Sequence, residues 1–96
     1  MKTTLIRLKV LPEKQAEFES LVAQLVRDVG ANEPDPKFYH VRRCQDDPLS
    51  YVYLFCFKDD AAQQSYQDAD YHTAMSPKAV ACLDGDPVFE ELDSFY

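Results

Sequence analysis

An α+β fold of the ferredoxin-like type, a split β-α-β-β-α-β unit with one four-stranded antiparallel sheet, is predicted by three features of the sequence. A strand-period segment runs into a long helix-period segment. Two further strand-like runs are joined by the turn signal Gln45-Asp46-Asp47-Pro48 and lead through aspartates into a second helix. The second of those runs, Tyr51-Val52-Tyr53-Leu54-Phe55-Cys56-Phe57, is apolar or aromatic on both faces, so both must be covered. With 96 residues the chain is expected to form a single domain, 1–96, and one copy supplies too little surface for that covering. The expectation is a homodimer with two sheets face to face, a dimeric α+β barrel.

Each element has a local reason. Thr3 to Val10 alternates, with Thr4, Ile6, Leu8 and Val10 on one face, as a half-buried strand does. Pro12 ends it. Phe18, Leu21, Val22, Leu25, Val26 and Val29 then recur three or four apart opposite Glu13, Lys14, Glu17 and Gln24, which predicts an amphipathic helix stopped by Gly30. Asn32-Glu33-Pro34-Asp35-Pro36 reads as a loop. Phe38–Arg43 and Tyr51–Phe57 are the paired strands. Asp59 or Asp60 caps a helix from Ala61 to about Ala69, and Ser76-Pro77 predicts a third helix over 77–83, with serine as its cap. Asp84-Gly85-Asp86-Pro87 is a turn, and Val88 to Phe95 a last strand.

Composition narrows the function. A net charge of −7 and a pI near 4.6 oppose binding to a phosphate backbone, so nucleic acid is not an expected partner. No apolar run approaches the ~18 residues that span a bilayer, and the N-terminus meets Arg7 and Lys9 too soon for a signal-peptide core, so no membrane partner is expected either. Cys44, Cys56 and Cys82 are scattered without a CxxC pair, the pattern of reduced thiols in a cytoplasmic protein. Asp46-Asp47 and Asp59-Asp60 lack a histidine at ligand spacing and sit where turns and caps want aspartate, so no metal site is expected. Six Phe and six Tyr favour a ring-lined core or pocket.

The chain resembles the antibiotic biosynthesis monooxygenase family, small dimeric α+β barrels that include quinol oxidisers and polyketide oxygenases. The resemblance is carried by Lys9-Val10-Leu11-Pro12-Glu13-Lys14, Asn32-Glu33-Pro34, Asp47-Pro48, Phe55-Cys56-Phe57-Lys58-Asp59-Asp60-Ala61-Ala62 and Asp70-Tyr71-His72, in that order. Members often place an acidic residue where Phe55 stands, Trp or Tyr where Phe57 stands, and a histidine where this chain has Tyr66. The resemblance does not extend to the haem-degrading branch, which uses a first-strand asparagine and a tryptophan. It implies a cofactor-independent monooxygenase that oxidises a small aromatic or quinol-like substrate with dioxygen.

Such chemistry needs a dry pocket, a base and an oxyanion donor. His72 and His40 are the candidate bases. Tyr66, on the inward face of the second helix, is a candidate to orient or donate to a substrate oxygen. Tyr53, Phe55, Phe57 and Tyr71 are candidate ring contacts, and Arg42 a candidate anion contact. Tyr51, Tyr53, Phe55 and Phe57 share one parity; Val52, Leu54 and Cys56 share the other, and parity leaves open which set faces the pocket. Two rivals remain. A cofactor-free isomerase would use His72 or His40 as base and Arg42 or Arg43 as anion clamp. A non-catalytic small-ligand-binding or stress-associated barrel would have its interior packed solid by Phe55, Phe57 and Tyr66.

Overall fold

Alternation in the first segment produces strand β1, Lys2–Lys9, in a computed structural model that describes residues 1–96. Pro12–Lys14 form one 3-10 turn, with Pro12 supplying a preset φ where no amide donor is needed, and helix α1 follows over Gln15–Asn32. Strands β2 (Phe38–Arg43) and β3 (Ser50–Phe57) come next, then helices α2 (Asp60–Asp68) and α3 (Asp70–Val80), and strand β4 (Val88–Leu92). The sheet order is β2-β3-β1-β4 and every pairing is antiparallel, the ferredoxin-like arrangement that the order of elements predicts.

Register decides which face is which. Thr4 lies opposite Phe55, Ile6 opposite Tyr53 and Leu8 opposite Tyr51, while Tyr39 and Val41 of β2 face Phe55 and Tyr53. The odd-numbered β3 residues therefore point into the helix layer. There Tyr51, Tyr53, Phe55 and Phe57 join Phe18, Val22, Leu25 and Val29 of α1, Tyr66 of α2 and Ala79 of α3 in one buried cluster. The opposite face carries Leu5, Val52 and Leu54, each half-buried, and no helix crosses it.

Four expectations need correction. Helix α1 does not stop at Gly30; it runs on to Asn32, whose side-chain amide donates to the Asp28 carbonyl, and Glu33 turns extended because it precedes Pro34. The third helix runs over Asp70–Val80 instead of 77–83, so the Asp70-Tyr71-His72-Thr73 segment is its first turn. Ser76 caps nothing, and Pro77 sits inside the helix, where the ring gives up one main-chain hydrogen bond. Strand β4 ends at Leu92 because its register there meets Thr3, next to the end of β1, which leaves Phe95 and Tyr96 exposed.

Polar detail supports the frame. Asp59, not Asp60, caps α2: its carboxylate accepts from the Ala62 amide at 2.8 Å. Asp47 accepts from the Leu49 amide and the Ser50 hydroxyl in the β2–β3 turn. Gly85 holds φ +94°, a conformation that costs a side-chain-bearing residue more.

The rings carry hydroxyls into the core. Tyr39 and Tyr66 bond to each other at 2.5 Å, and Tyr66 also stacks on Phe57 with centroids 5.3 Å apart. Burial raises the Tyr66 phenol from 10.0 to about 12, with the Tyr39 bond pulling it back and the Glu33 charge pushing it further. Burial drives Tyr39 and Tyr53 upward more strongly still.

Two predictions follow from this packing. Asp59→Ala lowers stability by about 1 kcal/mol in denaturant titration, and Asp60→Ala, whose carboxylate is exposed beside Lys2, changes it by less than about 0.5 kcal/mol. Second, the unfolded chain ionises its tyrosines near pH 10, where Tyr66 in the fold keeps its proton. The Tyr66 contribution is thus complete below pH 10 and drains away as pH rises through about 12. In Tyr66→Phe the denaturant midpoint falls less steeply across that window than in the parent; an unchanged slope contradicts the assignment.

Candidate active site

A cleft of about 620 Å³ opens between the helix layer and the β1–β4 side of the sheet. Thr4 and Ile6 of β1, Tyr53 and Phe55 of β3 and Phe89 of β4 form its sheet wall; Gln63 and Tyr66 of α2 and His72, Met75 and Ala79 of α3 form much of its helix wall. The lining is mainly apolar and includes no lysine or arginine. Glu91, its one charged residue, pairs with Lys2 at 3.1 Å.

His72 reaches this wall because α3 begins at Asp70, which puts position 72 in the first turn, beside the end of α2. Its ring meets Tyr66 edge-on, with centroids 4.6 Å apart, and it is half-buried. His72 Nδ1 lies 3.1 Å from the Gln67 carbonyl oxygen. A carbonyl only accepts, so Nδ1 carries a proton, and the neutral form of such a ring has its lone pair on Nε2, the form a general base needs. Tyr66, one residue in the ring cluster and 4 % exposed, borders the same cleft and shares its hydroxyl with Tyr39.

The structure brings together four of the eight residues singled out in the sequence: His72, Tyr66, Tyr53 and Phe55 all border the cleft. Phe57 belongs to the same ring cluster but is fully buried behind Tyr66 and touches no open space. Tyr71 turns the other way, donating its hydroxyl to Glu33 at 2.7 Å, and burial raises its phenol further than that carboxylate does. His40 and Arg42 stand on the opposite sheet face from His72: their register partners are Leu54 and Val52, the even-numbered set of β3. There His40 stacks on Phe38 at 5.6 Å, and Arg42 donates to the Val41 carbonyl. The odd-numbered parity is thus the cleft parity.

Two wall residues escaped the sequence reading. Gln63 is 8 % and Thr4 3 % exposed, and both Gln63 Oε1 and Thr4 Oγ1 are buried without a hydrogen-bond partner in the protein. The signal was present: Thr4 alternates with Ile6 and Leu8 on an otherwise apolar face, and Gln63 stands one turn before Tyr66 on the inward face of α2.

With this geometry in hand, comparison with known proteins places the chain. The family model described as antibiotic biosynthesis monooxygenase matches residues 1–78. A crystal structure from Caulobacter crescentus, described as a candidate antibiotic biosynthesis monooxygenase, is 30 % identical, with 99 % of this chain and 90 % of that one covered and a TM-score of 0.91. A second, described as an antibiotic biosynthesis monooxygenase, is 22 % identical with full coverage of both chains and a TM-score of 0.91. A third, from Nitrosomonas europaea, has a TM-score of 0.89 at 13 % identity, again with full coverage of both, a likeness of fold alone. A search of curated proteins finds no match. The family match over most of the chain, together with the fold it predicts, makes this protein a member of the antibiotic biosynthesis monooxygenase family.

Proposed function

We propose that the cleft binds a small aromatic substrate of the quinol or phenol class and oxygenates it with dioxygen, without a cofactor and with His72 as the general base. The observation that carries this reading is the His72 ring, fixed by the Gln67 carbonyl with Nε2 open, at the wall of an apolar cleft lined by Tyr53, Phe55 and Tyr66.

In this reading His72 Nε2 takes the proton of a ring hydroxyl. The resulting anion is electron-rich enough to pass one electron to dioxygen, and the two radicals combine into a carbon–oxygen bond. The peroxide so formed loses water as its O–O bond breaks, leaving a new ring carbonyl. Quinol and dioxygen become hydroxyquinone and water, so atoms and electrons balance with no third reactant. The Tyr66 phenol, raised by burial to about 12, keeps its proton at neutral pH, and its hydroxyl is taken by Tyr39 of β2, so it supports the cleft wall as a ring and does not serve as a base. The apolar walls keep water from the anion.

The isomerase alternative requires a cation to hold a phosphate or carboxylate. Arg42 and Arg43 are absent from the cleft wall, so that reading loses its clamp. A barrel packed solid by Phe55, Phe57 and Tyr66 is also disfavoured, since Phe55 and Tyr66 border open space instead of filling it. The bare sheet face, with Leu5, Val52 and Leu54 at its centre, is read as the seat of a second copy, giving a homodimer. The three free thiols suit a reducing cytoplasm.

Oxygen uptake with reduced menadione tests the activity. His72→Gln lowers kcat by about 100-fold with KM within about twofold, whereas His40→Ala and Arg42→Ala leave both parameters unchanged. Parent-like uptake by His72→Gln overturns the assignment of the base. For the assembly, light scattering gives a dimer for the parent chain and a folded monomer for Leu54→Asp; a monomeric parent at micromolar concentration refutes the second copy.

A further inference from the structure

We infer that the groove between α1 and β2 is a second binding site, separate from the cleft, for a small carboxylate with an apolar body such as an aromatic acid, its anionic head held by Arg27 and Arg43. This site uses none of the residues assigned to oxygenation and stands whether or not the cleft oxygenates anything.

The groove encloses about 490 Å³, within the size range of small-molecule pockets. It shares only Phe18 with the cleft. Val22 and Val26 of α1 and Tyr39 and Val41 of β2 give it an apolar floor. Val26 belongs to the helix stripe that buries Val22, Leu25 and Val29, yet it stays 38 % exposed beside β2, an outer strand of the sheet. An apolar position left open in this way gains when something covers it.

Charge is sorted between the two spaces. Three of the chain's four arginines, Arg27, Arg42 and Arg43, line the groove, while the cleft has neither lysine nor arginine. The fourth, Arg7, is paired with Glu90 between β1 and β4. In a chain of net charge −7 this clustering makes a local positive field, which salt confines to about 10 Å. Glu19 is the only carboxylate on the groove wall, and it is already engaged: Arg43 donates to its Oε2 at 2.9 Å, and the Tyr51 hydroxyl donates to the same oxygen. Arg27 donates to the Gln24 side-chain oxygen at 2.8 Å, and Arg42 to the Val41 carbonyl. Each guanidinium has further N–H donors in its plane, a fork that suits a carboxylate. Arg27 stands on the helix bank and Arg43 on the strand bank, so the two approach the same space from opposite sides.

This combination decides the ligand class. An inorganic anion leaves the apolar floor in water, and a neutral ring leaves the arginines unused. A polyanion meets the acidic remainder of the surface and is repelled. A single carboxylate on an apolar body satisfies both the floor and the banks.

Calorimetry at neutral pH with 2-naphthoate, its neutral isostere 2-naphthamide and inorganic phosphate tests the site. The parent chain binds one naphthoate, about tenfold more tightly than the amide or phosphate. Affinity for naphthoate falls severalfold between about 50 mM and about 500 mM salt. Methyl NMR locates the ligand: resonances of Val22, Val26 and Val41 in the groove move, and those of Ile6 and Met75 in the cleft do not. Arg27→Gln, at an exposed side chain bonded to Gln24, brings acid and amide to within about twofold of each other while shifting the melting temperature by no more than about 2 °C. Equal binding of acid and amide by the parent, shifts confined to Ile6 and Met75, or an undiminished preference in Arg27→Gln overturns the site. Absence of binding by every probe refutes it too, and if light scattering then shows Arg27→Gln weakening self-association, the groove is covered by a second copy instead.

Discussion

One strand governs the molecule. Tyr51, Tyr53, Phe55 and Phe57 project from β3 onto a single sheet face, and the helix layer exists to take those four rings out of water. Helix α1 covers Tyr51 with Phe18, whose ring sits 4.9 Å away, and Tyr66 of α2 stacks on Phe57. Burying a large ring contributes roughly 1.5 to 3 kcal/mol in transfer free energy, more than any surface ion pair of this chain. Six of the seven ion pairs join side chains that are about a third or more exposed, Asp35 beside Lys37 being the exception, and pairs such as Arg7–Glu90 between β1 and β4 help to keep register.

The cleft is a consequence of where those rings run out. Cover is dense over β3, whose rings pack against residues of α1 and α2, and thins toward β1 and β4, whose inward residues include the small Thr4 and the exposed Phe89. Helix α3 spans this thinner region with Ala79 as its one buried residue, Tyr71 and Met75 packing only in part against the core, and Pro77 interrupts its hydrogen bonding. A helix that seats against its neighbours more than against the sheet leaves room. That room is bounded by rings on one side and by the first turn of α3 on the other, which is how an apolar space comes to have an imidazole at its wall.

How far the sequence reveals this depends on the kind of signal. Strand alternation and helix spacing are set by burial, so β1, α1, β2 and β3 are legible to within a few residues, as is the ferredoxin-like order. Signals that depend on a competing local choice mislead. Ser76-Pro77 looks like a helix start, yet Asp70 already opens the helix, and one lost hydrogen bond at Pro77 is outweighed by continuing the turn of Ala79 into the core. Gly30 looks like a stop, but Pro34 four residues later does the stopping. In the site, residue type marked His72 and Tyr66, whereas His40 and Arg42 could be separated from them only by strand register, which no local pattern encodes. Gln63 and Thr4 have commonplace residue types, and only their burial without partners singles them out.

The place of Tyr66 in the family pattern gains a physical meaning from this arrangement. Family members often carry a histidine at that helix position, and here a tyrosine fills it, with its hydroxyl engaged by Tyr39 and its ring by Phe57. A phenol held at about 12 cannot act as a base near neutral pH, so a base, if the chain uses one, has to come from elsewhere. The His72 ring lies beside the same ring from the next helix, with centroids 4.6 Å apart. Under the proposed function the imidazole has moved from one helix to its neighbour while the ring beside it keeps the packing. The start of α3 at Asp70 sets His72 in a helical first turn, with Nδ1 3.1 Å from the Gln67 carbonyl oxygen at the end of α2.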